Sequence, residues 1–229
     1  MKDPTEKTDE TFSDTGLVIV AGGGGSRFGG RKNKLLVTFE GAPVILHSLR
    51  RFAPLLPCQQ TIVVVSKDLR KELIPLIEHE DFFRWIKLVE GGSERQDSVF
   101  AGLKALPSTC VIAAIHDAAR PRMGIDLLTA CVQSARLRGS GVAAIPVRDT
   151  TKLVDQSGDV IKTLDRDALR ATETPQVFDR ALITTAYQEI ISRGITVTDD
   201  AQAVELTGGK VHLVLHAGDN RKITFQSDL

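Results

Sequence analysis

The chain contains Leu17-Val-Ile-Val-Ala21 followed directly by Gly22-Gly-Gly-Gly-Gly-Ser-Arg-Phe-Gly-Gly-Arg-Lys-Asn-Lys34. A short apolar run ahead of a glycine-rich loop is typical of a buried strand in a parallel sheet. Glycines let backbone N–H groups approach phosphate oxygens closely, and successive amides can form an anion-binding nest. The loop carries four cationic residues, Arg27 and Lys34 among them, and no acidic residue. We therefore predict that this loop binds a triphosphate.

Two common phosphate-binding loops are excluded by the same stretch. A Walker loop requires Gly-Lys followed by Ser or Thr, and that sequence is absent here. The dinucleotide fingerprint fails as well, because Phe28 occupies its third glycine position when the count starts at Gly23 and Gly25. The remaining alternative to a triphosphate site is a flexible glycine turn with solvated cations.

Short apolar runs alternate with helical stretches along most of the chain. Strands are predicted at 17–21, 61–65, 86–89, 111–115, 142–147 and 211–215, and helices at 43–52, 68–78, 125–137, 181–191 and from a capping box at Ser93 to Gln96 onward. This alternation predicts an α/β fold, with a Rossmann-like, mostly parallel sheet that has helices on both faces. Ligands of such sheets bind beyond the carboxyl ends of the strands.

The alternation stops after Val147, where a charged segment follows. Lys152-Leu-Val154 and Val160-Ile-Lys-Thr-Leu164 flank a turn, which predicts a β-hairpin. This segment has few apolar residues that could anchor it to its own sheet. We therefore predict a projecting arm at about 147–174 that packs against a partner chain.

Composition limits the possible classes of protein. The 229 residues have 42% hydrophobic residues, 25% charged residues and zero formal net charge. No chain-wide field favours nucleic acid or an anionic membrane as a partner. Three widely spaced cysteines fit the reducing cytoplasm, and no apolar run resembles a signal peptide or a membrane span. We expect a cytoplasmic protein with a disordered tail at 1–15 and one domain at 16–229.

A second polar cluster, Ile115-His-Asp-Ala-Ala-Arg-Pro121, follows the fourth predicted strand. Asp117 would face the same edge of the sheet as the glycine-rich loop. A carboxylate near a triphosphate most often holds Mg²⁺, which prefers carboxylate and phosphate oxygens. A turn-capping role for Asp117 stays open, and packing is favoured over base catalysis for His116.

Eight motifs occur along the chain in one order. They are the glycine-rich loop, Gly91-Gly-Ser-Glu-Arg-Gln-Asp-Ser98, His116-Asp-Ala-Ala-Arg-Pro121, Pro146-Val-Arg-Asp-Thr150, Leu164-Asp-Arg166, Thr174-Pro-Gln176, Thr198-Asp-Asp200 and Asp219-Asn-Arg-Lys-Ile-Thr224. Together they resemble the 2-C-methyl-D-erythritol 4-phosphate cytidylyltransferase family of isoprenoid precursor biosynthesis, over residues 17–229. The resemblance implies a nucleotide-diphospho-sugar transferase-like fold, CTP and a sugar-alcohol phosphate as substrates, Mg²⁺ as cofactor, and a homodimer that exchanges its arms.

The resemblance also implies roles for individual residues. The nucleotide would be bound by Ala21, Gly22, Gly23, Gly92, Ser93, Ser98 and Ala118. The reacting phosphates would be surrounded by Arg27, Lys34 and Lys222. Asp117 would ligate Mg²⁺, with Asp219 as a helper. The sugar phosphate would be bound by Arg120 and, from the partner's arm, by Thr150 and Arg166.

The sequence departs from the family pattern in several places, and alternative functions also stay open. Asn33-Lys34-Leu35 stands where Pro-Lys-Gln is usual, Gly22 replaces a common alanine, and Arg221 replaces an apolar residue. One alternative is a cytidylyltransferase for ribitol 5-phosphate. Another is a uridylyl- or adenylyltransferase for sugar 1-phosphates, which the Glu94-Arg95-Gln96-Asp97-Ser98 run disfavours. A third is a non-catalytic nucleotide-binding regulatory protein.

Overall fold

A computed structural model of the protein describes residues 10–22, Phe28 and 33–229. The predictions for Gly23, for Arg27 and for residues 1–9 of the tail lie outside the described residues. The strands are β1 (Thr15–Ala21), β2 (Thr38–Phe39), β3 (Ala42–Pro43), β4 (Thr61–Val65), β5 (Ile86–Glu90), β6 (Ile112–Asp117), β7 (Ser140–Pro146), β8 (Lys152–Val154), β9 (Val160–Thr163), β10 (Arg170–Asp179) and β11 (Leu213–Leu215).

Seven of these strands form one sheet in the order β11-β7-β10-β6-β1-β4-β5. β10 pairs antiparallel with β6 and β7, and the other neighbouring strands are parallel. The short hairpins β2–β3 and β8–β9 lie outside this sheet. The predicted mostly parallel sheet is confirmed.

Six helices cover the sheet in the described part of the chain. They are α1 (Val44–Phe52), α2 (Lys67–Ile77), α3 (Arg95–Ala105), α4 (Ile125–Arg138), α5 (Arg180–Ser192) and α6 (Asp200–Leu206). None of the helices in the described ranges is long and apolar enough to cross a membrane.

Alternate residues of each central strand pack into two separate cores. On β1, Leu17 and Ile19 belong to the core that includes α1, α2 and α4, whereas Val18 belongs to the core that includes α3, α5 and α6. Side chains of a strand point alternately to the two faces, so a fully apolar strand must be covered on both. The prediction of helices on both faces is confirmed.

β10 was not predicted, although it is the longest strand of the sheet. Its first half contains the polar Thr172, Glu173 and Thr174, and Pro175 follows, which argues against a central strand on sequence grounds. The register shifts between Thr172 and Gln176, so the sheet accommodates this stretch as an irregularity. The predicted arm at 147–174 is therefore wrong at its end, because residues from Arg170 onward belong to the main sheet.

The predicted disordered tail at 1–15 is wrong for residues 10–15. A short 3₁₀ helix spans Glu10–Phe12, and the Phe12 side chain is fully buried in the core. Arg136 donates to the carbonyl of Thr11 at 2.8 Å and pairs with Asp14. These contacts come from residues more than a hundred positions away, so a local polar composition cannot reveal them.

The helix α3 begins one residue later than predicted. Its N-cap is Glu94, and Asp97 completes the capping box by accepting from the Glu94 backbone N–H at 3.1 Å. Ser93 donates its hydroxyl to the same Asp97 oxygen at 3.1 Å. The predicted Ser93–Gln96 box is thus wrong in register, although a capping box is present.

Candidate active site

A polar cleft of about 260 Å³ lies at the carboxyl edge of β6. Its walls come from the end of β6, the first half of β10, the beginnings of α3 and α6, and the segment after β11. The lining residues are Arg95, Asp117, Arg120, Thr172, Glu173, Thr174, Gln176, Thr198, Asp199 and Lys222. Three of these, Asp117, Arg120 and Lys222, are predicted site residues.

Asp117 accepts hydrogen bonds from two cationic side chains. Its Oδ2 accepts from Lys222 Nζ at 2.6 Å, and its Oδ1 accepts from Arg95 Nη2 at 3.2 Å. Lys222 is 105 residues away in sequence, and Arg95 stands at the start of α3. Asp117 and Lys222 therefore lie together, as predicted. Arg95, to which the sequence analysis assigned no role, lies beside them.

The charge state of Asp117 follows from these neighbours. Burial alone would raise the pKa of this carboxyl, but the charges of Arg95 and Lys222 outweigh burial and hold the pKa well below its usual value. Asp117 is consequently ionised at neutral pH. An ionised carboxylate at the end of a strand, beside cations, is suited to binding a metal–phosphate complex.

Behind Asp117, Arg95 is held by a buried carboxylate. Its two terminal nitrogens donate to the two oxygens of Asp200, each at 2.9 Å, and Asp200 is fully buried. The hydroxyl of Tyr187 donates to Asp200 at 2.5 Å. Burial opposes the charge of Arg95, but Asp200 and Asp117 outweigh it and raise the pKa of the guanidinium. Arg95 thus has a fixed position and a fixed charge.

His116 is a structural residue. Thr174 Oγ1 accepts from the Asp117 backbone N–H at 3.0 Å and lies 3.1 Å from His116 Nδ1, so its hydroxyl proton is available to that nitrogen. His116 Nε2 lies 3.1 Å from the Arg120 carbonyl, to which it can donate. Burial lowers the pKa of His116 to about 4, so the ring is neutral at pH 7. Both ring nitrogens are engaged, which agrees with packing rather than base catalysis.

Arg120 belongs to a buried network on β10. Its Nη1 lies 3.1 Å from Glu173 and donates to the Asn220 carbonyl at 2.7 Å. Glu173 also contacts His216 at 3.0 Å and accepts from the Asn220 amide at 2.8 Å. The structure therefore places Arg120 in the cleft wall with protein partners, and its predicted contact with the substrate stays a prediction.

Lys34 lies beside the same C-terminal segment as Lys222. Its ammonium donates to the Ile223 carbonyl at 2.9 Å, and the Ile223 N–H donates to the Ala119 carbonyl at 2.8 Å. Ile223 thus contacts the end of the glycine-rich loop through its carbonyl and the loop after β6 through its N–H. Two of the three predicted catalytic cations, Lys34 and Lys222, are brought to the same edge of the sheet.

The predicted nucleotide-binding residues that the structure describes lie around the same edge. Ala21 ends β1, and Ala118 is fully buried with its N–H donating to the Val20 carbonyl at 3.0 Å. Ser98 is buried on α3, and a Cβ on Gly22 would lie only 3.0 Å from its hydroxyl oxygen. A Cβ on Gly92 would lie 2.3 Å from that of Asp97, so this turn tolerates no side chain there. The absence of side chains at Gly22 and Gly92 therefore allows the backbone at these two positions to lie close to α3.

The predicted residues of the arm and the predicted metal helper also lie outside the cleft lining. Thr150 and Arg166 flank the β8–β9 hairpin and are exposed, with Arg166 Nη1 donating to the Arg148 carbonyl at 3.2 Å. Asp219 lies between Arg122 at 2.5 Å and Arg221 at 3.1 Å. Hydrogen bonds from Arg221 and Arg122 hold the pKa of Asp219 well below its usual value.

Sequence reasoning assigned no role to four charged or amide-bearing groups of the cleft. These are Arg95, Glu173, Gln176 and Asp199, and Asp199 Oδ2 accepts from both Gln176 and Thr172 at 3.0 Å. Arg95, Gln176 and Asp199 fall within motifs that carried the family resemblance, and Glu173 directly precedes one of them. The motifs therefore contained these residues, but the sequence did not show which residues they would contact.

Comparison with known proteins identifies the family. The chain matches the model of the 2-C-methyl-D-erythritol 4-phosphate cytidylyltransferase family over residues 16–229. The chain belongs to this family. A cytidylyltransferase of that name from Bacillus velezensis is 40% identical over 214 residues, which are 93% of this chain and 91% of the relative. One of the same name from Alkaliphilus oremlandii is 37% identical, over 96% of this chain and 94% of its own length.

Solved structures of cytidylyltransferases share the fold. A 4-diphosphocytidyl-2C-methyl-D-erythritol synthase from Anaerococcus prevotii superposes with a TM-score of 0.80 at 28% identity, over 94% of each chain. The 2-C-methyl-D-erythritol 4-phosphate cytidylyltransferase from Thermus thermophilus gives a TM-score of 0.74 at 26% identity, over 93% of this chain and 94% of that one. The resemblance seen in the motifs is confirmed at the level of family and fold.

Proposed function

We propose that the protein transfers CMP from CTP to 2-C-methyl-D-erythritol 4-phosphate, in isoprenoid precursor biosynthesis. A phosphate oxygen of the acceptor attacks the α-phosphorus of CTP, the bond from that phosphorus to the bridging oxygen breaks, and pyrophosphate leaves. The product is 4-diphosphocytidyl-2-C-methyl-D-erythritol. The proposal is carried by the convergence of Asp117, Lys222 and Arg95 on one cleft in a chain of this family.

The residues of the cleft suit this reaction. The attacking phosphate is already anionic at neutral pH, so the reaction requires no strong base, and a buried neutral His116 agrees with that. The barrier lies in bringing anions together and in the charge that spreads over the transition state. Lys222 and Lys34 supply positive charge at the edge where the triphosphate would bind, and we assign Arg27 of the glycine-rich loop the same role.

Mg²⁺ fits the donor set of this site. Mg²⁺ in such enzymes is typically held by one or two carboxylates together with substrate phosphates and water. Asp117 supplies one ionised carboxylate, and the described residues contain no cluster of three His, Cys, Asp or Glu that would hold a metal alone. When bound, the metal would neutralise charge on the phosphates of CTP. Asp117 is our first choice of ligand because it lines the cleft, whereas Asp219 lies outside the lining, and its helper role stays a prediction.

We also propose a two-fold homodimer in which each arm completes the partner's site. The β8–β9 hairpin exposes four apolar side chains, Leu153, Val154, Val160 and Ile161, each to between 48% and 62%. Apolar side chains concentrated on one projecting hairpin are typical of an interface between copies. In this arrangement Thr150 and Arg166 would reach the sugar phosphate bound by the other subunit.

The chemistry of the thiols agrees with a cytoplasmic enzyme. Cys110 and Cys131 are buried and unpaired, and Cys58 is exposed and also unpaired. An exposed free thiol suits a reducing compartment.

A direct assay tests the proposed reaction. The protein is incubated with Mg²⁺, CTP and either 2-C-methyl-D-erythritol 4-phosphate or ribitol 5-phosphate, and released pyrophosphate is measured. We expect release with the first acceptor only, and a large loss when UTP or ATP replaces CTP. Release with ribitol 5-phosphate alone would assign the second cytidylyl activity, and no release with either acceptor would refute the proposal.

A further inference from the structure

The segment at 216–224 carries Lys222 across the edge of the sheet without forming a helix or a strand. Most of its residues are exposed or half-buried, and only Asn220 and Ile223 are buried. A segment without regular hydrogen-bonded structure keeps its position through particular contacts. The position of Lys222 therefore depends on what holds Asn220 and Ile223.

Asn220 makes two of the side-chain contacts that attach this segment to β10, and His216, at the start of the segment, makes another with Glu173 at 3.0 Å. The side-chain Nδ2 of Asn220 donates to Glu173 Oε2 and to the Thr174 carbonyl, each at 2.8 Å. Its backbone carbonyl accepts from Arg120 Nη1 at 2.7 Å. The residue is only 3% exposed, although both neighbours, Asp219 and Arg221, are exposed. Both of its partners on β10 are acceptors, so the residue at 220 has to supply two donors.

The two buried residues lie on either side of Lys222. Asn220 fixes the segment two residues before it, and Ile223 fixes it one residue after, through Ala119 and Lys34. Between them the Lys222 ammonium reaches Asp117 Oδ2 at 2.6 Å. Lysine has a long, flexible side chain, so a defined position for its ammonium requires a fixed backbone.

We propose that Asn220 is a positioning residue for catalysis, whose amide holds the Lys222 ammonium over Asp117 and the reacting phosphates. This inference rests on the proposed function for the role of Lys222, but the attachment of the segment to β10 does not. Asn220 touches neither Asp117 nor Lys222 through a hydrogen bond of its side chain. Its effect on the reaction is therefore transmitted by the backbone.

The substitution Asn220→Asp tests this role with almost no change in shape. An aspartate at this position would place a second carboxylate next to that of Glu173 and would leave the Thr174 carbonyl without its donor. We expect kcat to fall on the order of 10²-fold, because displacing a catalytic group by about 1 Å costs that much. The KM for CTP should change by less than about threefold, since the lost interaction acts mainly in the transition state.

A neighbouring residue and a second variant provide the controls. Arg221→Ala changes the next residue, whose side chain is 82% exposed and pairs with Asp219, and it should keep nearly wild-type kcat. Asn220→Ala removes both donors without adding a charge, and we expect the same selective loss of kcat. If Asn220→Asp does not fold, Asn220→Ala carries the test. A kcat near wild type in the folded variants would overturn the proposal.

A double variant separates positioning from a general structural effect. If Asn220 acts through Lys222, adding Asn220→Asp to Lys222→Ala should cause almost no further loss of kcat. Losses that multiply would show that Asn220 acts independently of Lys222, and would overturn the proposal.

Hydrogen exchange measures the attachment without the reaction. Amide protection in the segment at 216–224 should fall in Asn220→Asp and stay unchanged in Arg221→Ala. Unchanged protection in Asn220→Asp would overturn the proposal whatever the enzyme's substrates are. A wild-type protein that releases no pyrophosphate would instead refute the proposed function.

Discussion

Asp200→Asn is the sharpest test of the charges behind the cleft. Asp200 is fully buried, receives two hydrogen bonds from Arg95 at 2.9 Å and one from Tyr187 at 2.5 Å. Asparagine keeps the size of the side chain but removes its charge and one acceptor. Arg95 would then keep Asp117 as its only charged partner among the described contacts.

The expected loss of stability follows from burial. Removing one partner of a buried ion pair costs about 3–5 kcal/mol, because an uncompensated charge stays buried. The side chain of Arg95 is 31% exposed and keeps its contact with Asp117, so we expect a loss at or just below the lower bound of this range, about 2–3 kcal/mol. For a chain of this size that corresponds to a fall in Tm of roughly 4–12 °C.

Equilibrium unfolding in urea, together with thermal melting, measures this loss. Asp68→Asn is the matched control, since Asp68 pairs with Lys71 at 3.5 Å and its side chain is 91% exposed. That variant should stay within about 0.5 kcal/mol of wild type. A loss for Asp200→Asn no larger than for the control would refute the reasoning. Combined with Arg95→Met, the loss should also fall short of the sum by about 1 kcal/mol or more.

Three further predictions concern the metal, the dimer and the N-terminal segment. Asp117→Asn should raise the Mg²⁺ concentration needed for half-maximal activity on the order of 10-fold or more, and a normal Mg²⁺ titration would rule out Asp117 as a ligand. Lys222→Ala and Arg166→Ala should each be nearly inactive alone, but refolding the two together should restore about a quarter of wild-type activity, because half the dimers are mixed and each has one intact site. No recovery in a sample that contains mixed dimers would contradict the shared site. Phe12→Ala should lower the free energy of unfolding by about 3 kcal/mol or more in urea, since this side chain is fully buried, whereas a loss below about 1 kcal/mol would contradict its place in the core.

The parallel part of the fold could be predicted because its information is local. The strands β1, β4 and β6 are short apolar runs, and their neighbours read as helices with one apolar face. The hydrophobic periodicity and the composition of an element can each be recognised within a single stretch of sequence. The position of Asp117 at the carboxyl edge followed from the same logic, since it ends β6.

The charges that hold the cleft together could not be predicted in this way. Arg95 and Asp200 are 105 residues apart, and Glu173 and Asn220 are 47 residues apart. No spacing rule connects such pairs, because their distance is fixed by the packing of α3, α6 and the C-terminal segment against the sheet. Conversely, the predicted tail failed because one apolar residue, Phe12, finds a place in a core built from distant elements.

The direction of β10 explains why the side of the cleft that this strand forms was not predicted. In a purely parallel sheet every group at the binding edge follows the end of a strand, so a search for sites examines the residues after each apolar run. β10 runs antiparallel to β6, with Gln176 opposite Ile115 and Asp179 opposite Ile112. Its first residues therefore lie at the carboxyl edge, beside Asp117, and its apolar residues come afterwards. The polar stretch from Thr172 to Gln176 has the composition of a loop, yet it forms one wall of the cleft.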